Sequence, residues 1–185
     1  MSESTILIAG IGNIFLGDDA FGCEVLKHLG QRTWPENVRA VDFGIRGFDL
    51  AYTLLEGFDL TILVDATPRG DAPGTVYTIE PELDDLDTLD AGSVVVETHG
   101  MNPVKVLSLV KAMGGQLKQV MLVGCEPQTF GPEEGLMGLS EPVAAAVPAA
   151  VNVVESLVAK HLKLEGEHRW AIDTENVNTQ VADAF

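Results

Sequence analysis

Two adjacent aspartates, Asp18 and Asp19, follow a glycine turn in the stretch Ile6–Gly22, ILIAGIGNIFLGDDAFG. A third, Asp65, sits at the end of the apolar run Leu60–Ala66 (LTILVDA), and His99 follows the run Ser93–Glu97 in ETHGMNP. A carboxylate at the end of a buried run is costly without a partner. Two carboxylates and one imidazole suit a borderline divalent cation such as zinc or nickel, and three protein ligands leave a position open for water or substrate. Each residue also has a purely structural use. Asp18 is a good N-cap, and Asp19 would fall in a first helical turn, where the dipole favours a carboxylate. Asp65 could hold a backbone amide, and His99 could be an exposed loop residue. Asp42, ending the weaker run Val38–Asp42 (VRAVD), is a further acid for the same edge, although DFGIRG also reads as a turn.

The glycine turn invites a nucleotide-binding reading, which fails in detail. Gly10 and Gly12 fit the start of a dinucleotide fingerprint, but Phe15 stands where its third glycine belongs. No Gly-Lys-Ser/Thr follows, and adjacent acids would repel a phosphate.

Whether these residues meet depends on the elements that carry them. Runs rich in Val, Ile and Leu without polar alternation occur at Thr5–Ala9, Leu60–Ala66, Thr75–Ile79, Ser93–Glu97 and Gln119–Gly124, with Val38–Asp42 weaker. Such runs are strands buried on both faces. Helical patterns alternate with them: Asp18–Leu29, the GFDLAYTLLEG segment, a helix with Asn102 as N-cap and Pro103 at its first position, and a long pattern from Ser140 to about Leu164 that Pro148 should kink or split. The expected fold is a single three-layer α/β domain. Its twisted, mostly parallel sheet has about five strands with helices on both faces, and Thr75–Ile79 is a possible antiparallel partner for the strand before it. The domain spans residues 1–164 and a polar tail spans 165–185. In open α/β sheets ligands bind beyond the carboxyl ends of the strands, where the strand order switches. Parallel strands would therefore bring Asp19, Asp65 and His99 to one edge.

Composition narrows the partners. The 185 residues carry 11 basic and 28 acidic side chains, a formal net charge of -17. That charge disfavours nucleic acid and anionic membrane. Cys23 and Cys125 form no CxxC pair, so disulfide frameworks and thiolate zinc sites are not expected. The short first apolar run lacks a basic region before it, and no later stretch holds ~20 uninterrupted apolar residues. The expected location is the cytoplasm.

The segments AGIGNIFLGDDAFG, VDFGIRG, LVDATPRGDAPGT, ETHGMNPVKVL and VGCEP…GLSEPV stand in an order that resembles the hydrogenase maturation proteases, over roughly residues 5–162. The resemblance implies a largely parallel sheet between helices. It implies an endopeptidase that removes the C-terminal extension of a nickel–iron hydrogenase large-subunit precursor once nickel has been inserted. It further implies that Asp19, Asp65 and His99 ligate that nickel, with zinc or another divalent metal able to substitute, and that Arg46 could contact the precursor's C-terminal segment. The family uses Asp or Glu at the first position, and the shorter Asp stands here. Rival readings are a metal-binding assembly factor without proteolysis, a zinc hydrolase of small amides, and a flavodoxin-like nucleotide- or flavin-binding domain, which a visible spectrum would reveal.

Overall fold

The computed structural model describes residues 4–83 and 102–178. Strand β1 (Ile6–Ile11) leads through a 3-10 turn (Gly17–Ala20) into helix α1 (Phe21–Leu29). Then come β2 (Val38–Gly44), α2 (Gly47–Leu54), β3 (Leu60–Ala66), β4 (Val76–Ile79), α3 (Pro103–Ala112), β5 (Gln119–Cys125) and α4 (Glu141–Asn178). The five strands form one sheet in the order β2-β1-β3-β5-β4. The first four are parallel, and β4 is antiparallel on β5.

Alternation along β1 explains the three layers. Ile6 and Ile8 join Phe21, Val25, Val151 and Val154 in a core beneath α1 and α4. Leu7, Ala9 and Ile11 face the other way, into a core with Leu50 and Leu54 of α2 and Val110 of α3. Every residue of β3 is buried, as a central parallel strand requires.

The antiparallel strand is present, but its neighbour differs from the expectation. It pairs with β5 rather than with the preceding β3. The edge of β3 is taken along its whole length by β5, from Leu60 opposite Gln119 to Ala66 opposite Cys125. The short, half-buried β4 suits the sheet edge that remains.

The other helices largely follow their sequence signals. Asn102 caps α3 by accepting the Val104 amide at 2.9 Å, with Pro103 at the first turn. Pro148 lies inside α4, which continues without a break. Both Pro148 and Ala144, whose carbonyl the proline leaves free, are on the exposed side, where water can satisfy it. α4 also runs past Leu164 to Asn178. Its Glu141–Lys163 portion has the length and mean hydropathy, 1.6, of a membrane span, yet Val143, Val147, Val151 and Val154 pack into the core. The predicted strand Ser93–Glu97 and His99 lie outside the described residues, as does most of the acidic run Glu80–Asp90.

Candidate active site

β1 has β2 on one side and β3 on the other, and the connecting helices α1 and α2 cover opposite faces. The strand order therefore switches at the β1/β3 crevice, where ligands bind in such sheets. Asp65 is the penultimate residue of β3. Asp19 reaches the crevice from the 3-10 turn. Two glycines put it there. A Cβ on Gly12, whose φ is +144°, would lie 1.8 Å from the Asp19 carbonyl oxygen, so the loop folds directly onto itself. A Cβ on Gly22 would lie 2.2 Å from the Ile11 carbonyl and 2.3 Å from that of Val64, so the first turn of α1 rests on the ends of β1 and β3. Gly22 thus performs the close helix packing that the dinucleotide fingerprint assigns to its missing third glycine.

Asp65 is buried, 5% exposed. Burial holds its carboxyl well above the usual range and the charge of Asp19 adds to this, against hydrogen bonds from Ala66 and Thr67. Burial also raises Asp19, opposed by the Asn13 amide, which donates to its Oδ2 at 2.7 Å. Among the described residues neither acid enters an ion pair with Lys or Arg. Two neighbouring carboxylates in this state are relieved by a shared proton or by a cation between them. Carboxylate oxygens are donors of the kind that a divalent cation accepts. His99, the third expected ligand, lies outside the described residues. Among those described, no group of three His, Cys, Asp or Glu side chains could hold a metal.

Asp18 has a different role from the expected helix N-cap. The residue preceding the 3-10 turn is Leu16, and no side chain caps it. The Asp18 side chain turns away and is fully buried. Its Oδ2 accepts the amides of Gln128 at 2.7 Å and Thr129 at 2.9 Å, and its Oδ1 accepts that of Ser140 at 2.7 Å. The Ser140 hydroxyl adds a fourth bond at 2.9 Å. Burial alone would raise this carboxyl, but the bonds from Ser140, Thr129 and Gln128 outweigh it and hold it low.

The same loop leaves almost nothing for a phosphate. Gly12 donates to the Gly44 carbonyl and Asn13 to Asp19, while Phe15 and Leu16 bond back to Asn13. Gly17, Asp18 and Asp19 donate to Leu136, Thr129 and Leu16. A phosphate cradle needs such amides free, which weighs against the nucleotide reading.

Asp42 is exposed, and its Oδ1 accepts the Gly44 amide at 2.9 Å. Arg46 donates to the carbonyls of Phe43 at 3.1 Å and Asp42 at 2.6 Å, and pairs loosely with Asp49. Both line a groove of about 370 Å³ with Gly12, Ile14 and Phe15. Cys23 borders it, but burial and the nearby Asp42 and Asp19 push its thiol up to about 12. Burial likewise pushes Cys125 up to about 11. Neither thiol is a nucleophile at neutral pH.

Two supporting residues were not anticipated as site residues. Glu126 is buried and accepts the amides of Arg69 at 2.6 Å and Gly70 at 3.2 Å, holding the loop after Asp65. Tyr77 covers Gly124, the β5 neighbour of Asp65, and donates its hydroxyl to the Thr67 carbonyl. A polar residue just beyond an apolar strand, in VGCEP, was the available signal for Glu126.

Fold and site together define a class: a three-layer α/β domain whose switch point carries carboxylates in place of a phosphate cradle. Residues 23–157 match the family model for hydrogenase maturation protease (HycI), and the chain belongs to that family as a hydrogenase maturation endopeptidase. The matched span contains Asp65 and His99 and begins shortly after Asp19. A candidate hydrogenase maturation protease of Methanocaldococcus jannaschii is 33% identical over 161 residues, covering 86% of this chain and 100% of the relative. The hydrogenase maturating endopeptidase HybD of Escherichia coli superposes with a TM-score of 0.67 at 27% identity, covering 85% of this chain and 93% of that one. A hydrogenase 2 maturation peptidase from a Thaumarchaeota archaeon gives 0.62 at 32% identity, covering 86% and 99%.

Proposed function

We propose that the chain removes the C-terminal extension of a nickel–iron hydrogenase large-subunit precursor after nickel insertion, with Asp19, Asp65 and His99 as ligands to the nickel that the precursor carries. The observation behind this reading is the carboxylate pair at the β1/β3 crevice, where burial and then the charge of Asp19 raise the proton affinity of Asp65, and where, among the described residues, neither acid enters an ion pair with Lys or Arg. A divalent cation delivered by the substrate answers that deficit. Its Lewis acidity would polarise the reacting groups of amide hydrolysis. Zinc or another divalent metal could take the same donors in its place. The metal then doubles as the recognition signal, since a precursor without it leaves two acids facing each other.

The groove lined by Asp42 and Arg46 would receive the precursor's C-terminal segment. With both thiols held protonated, hydrolysis would use water rather than a covalent thioester. The reading places this step in the cytoplasm.

The test is a mass measurement on nickel-loaded precursor incubated with the wild type and with Asp19→Ala, Asp65→Ala and His99→Ala. The wild type should release a C-terminal peptide and each folded variant should release none. Full processing by all three variants would refute the site.

A further inference from the structure

The β1–α1 loop and the segment between β5 and α4 are built as one piece. Leu136 donates its amide to the Phe15 carbonyl at 2.8 Å, and Gly17 donates to the Leu136 carbonyl at 2.7 Å, pairing Leu16 with Leu136 in a parallel bridge. Asp18 ties the two from beneath through Gln128, Thr129 and Ser140. Backbone so thoroughly bonded could be expected to turn its apolar side chains inward. Instead Ile14, Phe15, Leu136 and Met137 are exposed, Phe15 by 58% and Met137 by 72%. Ile14 forms a ridge between two grooves. One, of about 550 Å³, runs between α1 and the start of α4 and is lined by Met137 and Pro148. The other is the groove of about 370 Å³ toward Asp42 and Arg46. Glu133 and Glu134, both exposed, fringe the platform. Large apolar side chains grouped on a fixed backbone and rimmed by charge mark an interaction surface.

We propose that this platform docks the folded body of the precursor, through a patch on the precursor that is apolar at its centre and rimmed by Lys or Arg. The proposal rests on the reading of the acid pair as the cleavage site. Three observations select this occupant. An endopeptidase of this class takes a protein as substrate. The platform shares its loop with Asp19, so a protein that presents a bond to Asp19 and Asp65 also covers Ile14 and Phe15. The acidic fringe on a chain of net charge -17 favours a basic partner over a second copy of the same chain. Docking through the platform would separate affinity, set there, from chemistry, set at the carboxylates.

The test measures binding and cleavage separately. Affinity for nickel-loaded precursor is read by biolayer interferometry in an Asp65→Asn background, and kcat and KM are read by mass in the otherwise native protein. Leu136→Glu/Met137→Glu, at platform positions outside the groove toward Asp42 and Arg46, should weaken binding by about tenfold or more and raise KM in step, with kcat at saturation within about twofold. Glu133→Lys/Glu134→Lys should weaken binding and flatten its salt dependence. Tyr52→Glu, at an exposed position on α2 away from the platform, is the control. Unchanged affinity in Leu136→Glu/Met137→Glu, or an equal loss in Tyr52→Glu, overturns the platform. So does sedimentation showing that the double variant only dissolves a dimer while precursor affinity is retained, and so does a wild type that fails to bind. If the wild type binds the precursor without cutting it, the cleavage reading fails, and the binding comparison still decides the platform.

Discussion

Asp18 faces the segment ahead of α4, where three amides and a hydroxyl converge on it. Its neighbour Asp19 faces β3, where it meets one amide and the charge of another carboxylate. The first carboxyl is held below the usual range and the second above it. Two identical side chains one residue apart thus divide the labour: a carboxylate saturated with donors fixes the backbone, and an under-satisfied one retains capacity for a ligand.

The difference is broken most severely at the under-satisfied end. If both acids ligate the substrate's nickel as proposed, Asp19→Ala or Asp65→Ala should reduce precursor processing by about a thousandfold or more, because each removes one ligand from the reacting assembly. Stability should move the other way. A carboxyl whose folded pKa is raised contributes most at low pH, and that contribution is lost as pH rises past the ordinary range, so Asp65 costs stability at neutral pH. Asp65→Asn should therefore raise Tm at pH 7, by about 2–4 °C for each kcal/mol relieved in a chain of this size.

At the saturated end, Asp18→Ala strands three buried amides. It should cost about 3 kcal/mol, which lowers Tm by about 6–12 °C. Asp18→Asn should cost less, because it can still accept. If Asp18→Ala melts like the wild type but loses activity as completely as Asp65→Ala, the division of labour is wrong.

The acid limb of stability sharpens the contrast. Lys118 and the Thr5 amide hold Asp59 down to about 2, and Asp18 is likewise held low. Groups with depressed pKa stabilise the fold above the ordinary carboxylate range near 3.8, and that contribution is lost as pH falls toward about 2. Asp59→Asn should therefore narrow the Tm difference between pH 6 and pH 3. The smallest effect is expected at Asn102→Ala, which removes one cap from α3 and should cost about 1 kcal/mol in a thermal or denaturant melt.

Asn102 and Asp18 also show where the sequence was legible. Both were read as helix N-caps. Asn102 is one because its signal is local: Pro103 fixes the first turn, and the capped amide is two residues away. Asp18 is not, because its partners lie at least 110 residues further along the chain and no local pattern points to them. The parallel strands were readable because burial on both faces writes continuous apolar runs, as in β3. The neighbour of β4 was not, because sequence proximity suggested β3, whereas the sheet inserts β5 between them. Asp65 stood out as a charge within an apolar run. Glu126 offered only its place just beyond an apolar strand, and its role, like the packing role of Gly22, became visible once the backbone partners were in place.

The central claim is that the acid pair receives nickel carried by the substrate. The most direct test offers the wild-type protein nickel-loaded and nickel-free precursor side by side and compares the masses of the products. Loss of a C-terminal peptide from the loaded form alone is the expected result. Equal cleavage of both forms, or of neither, would contradict it.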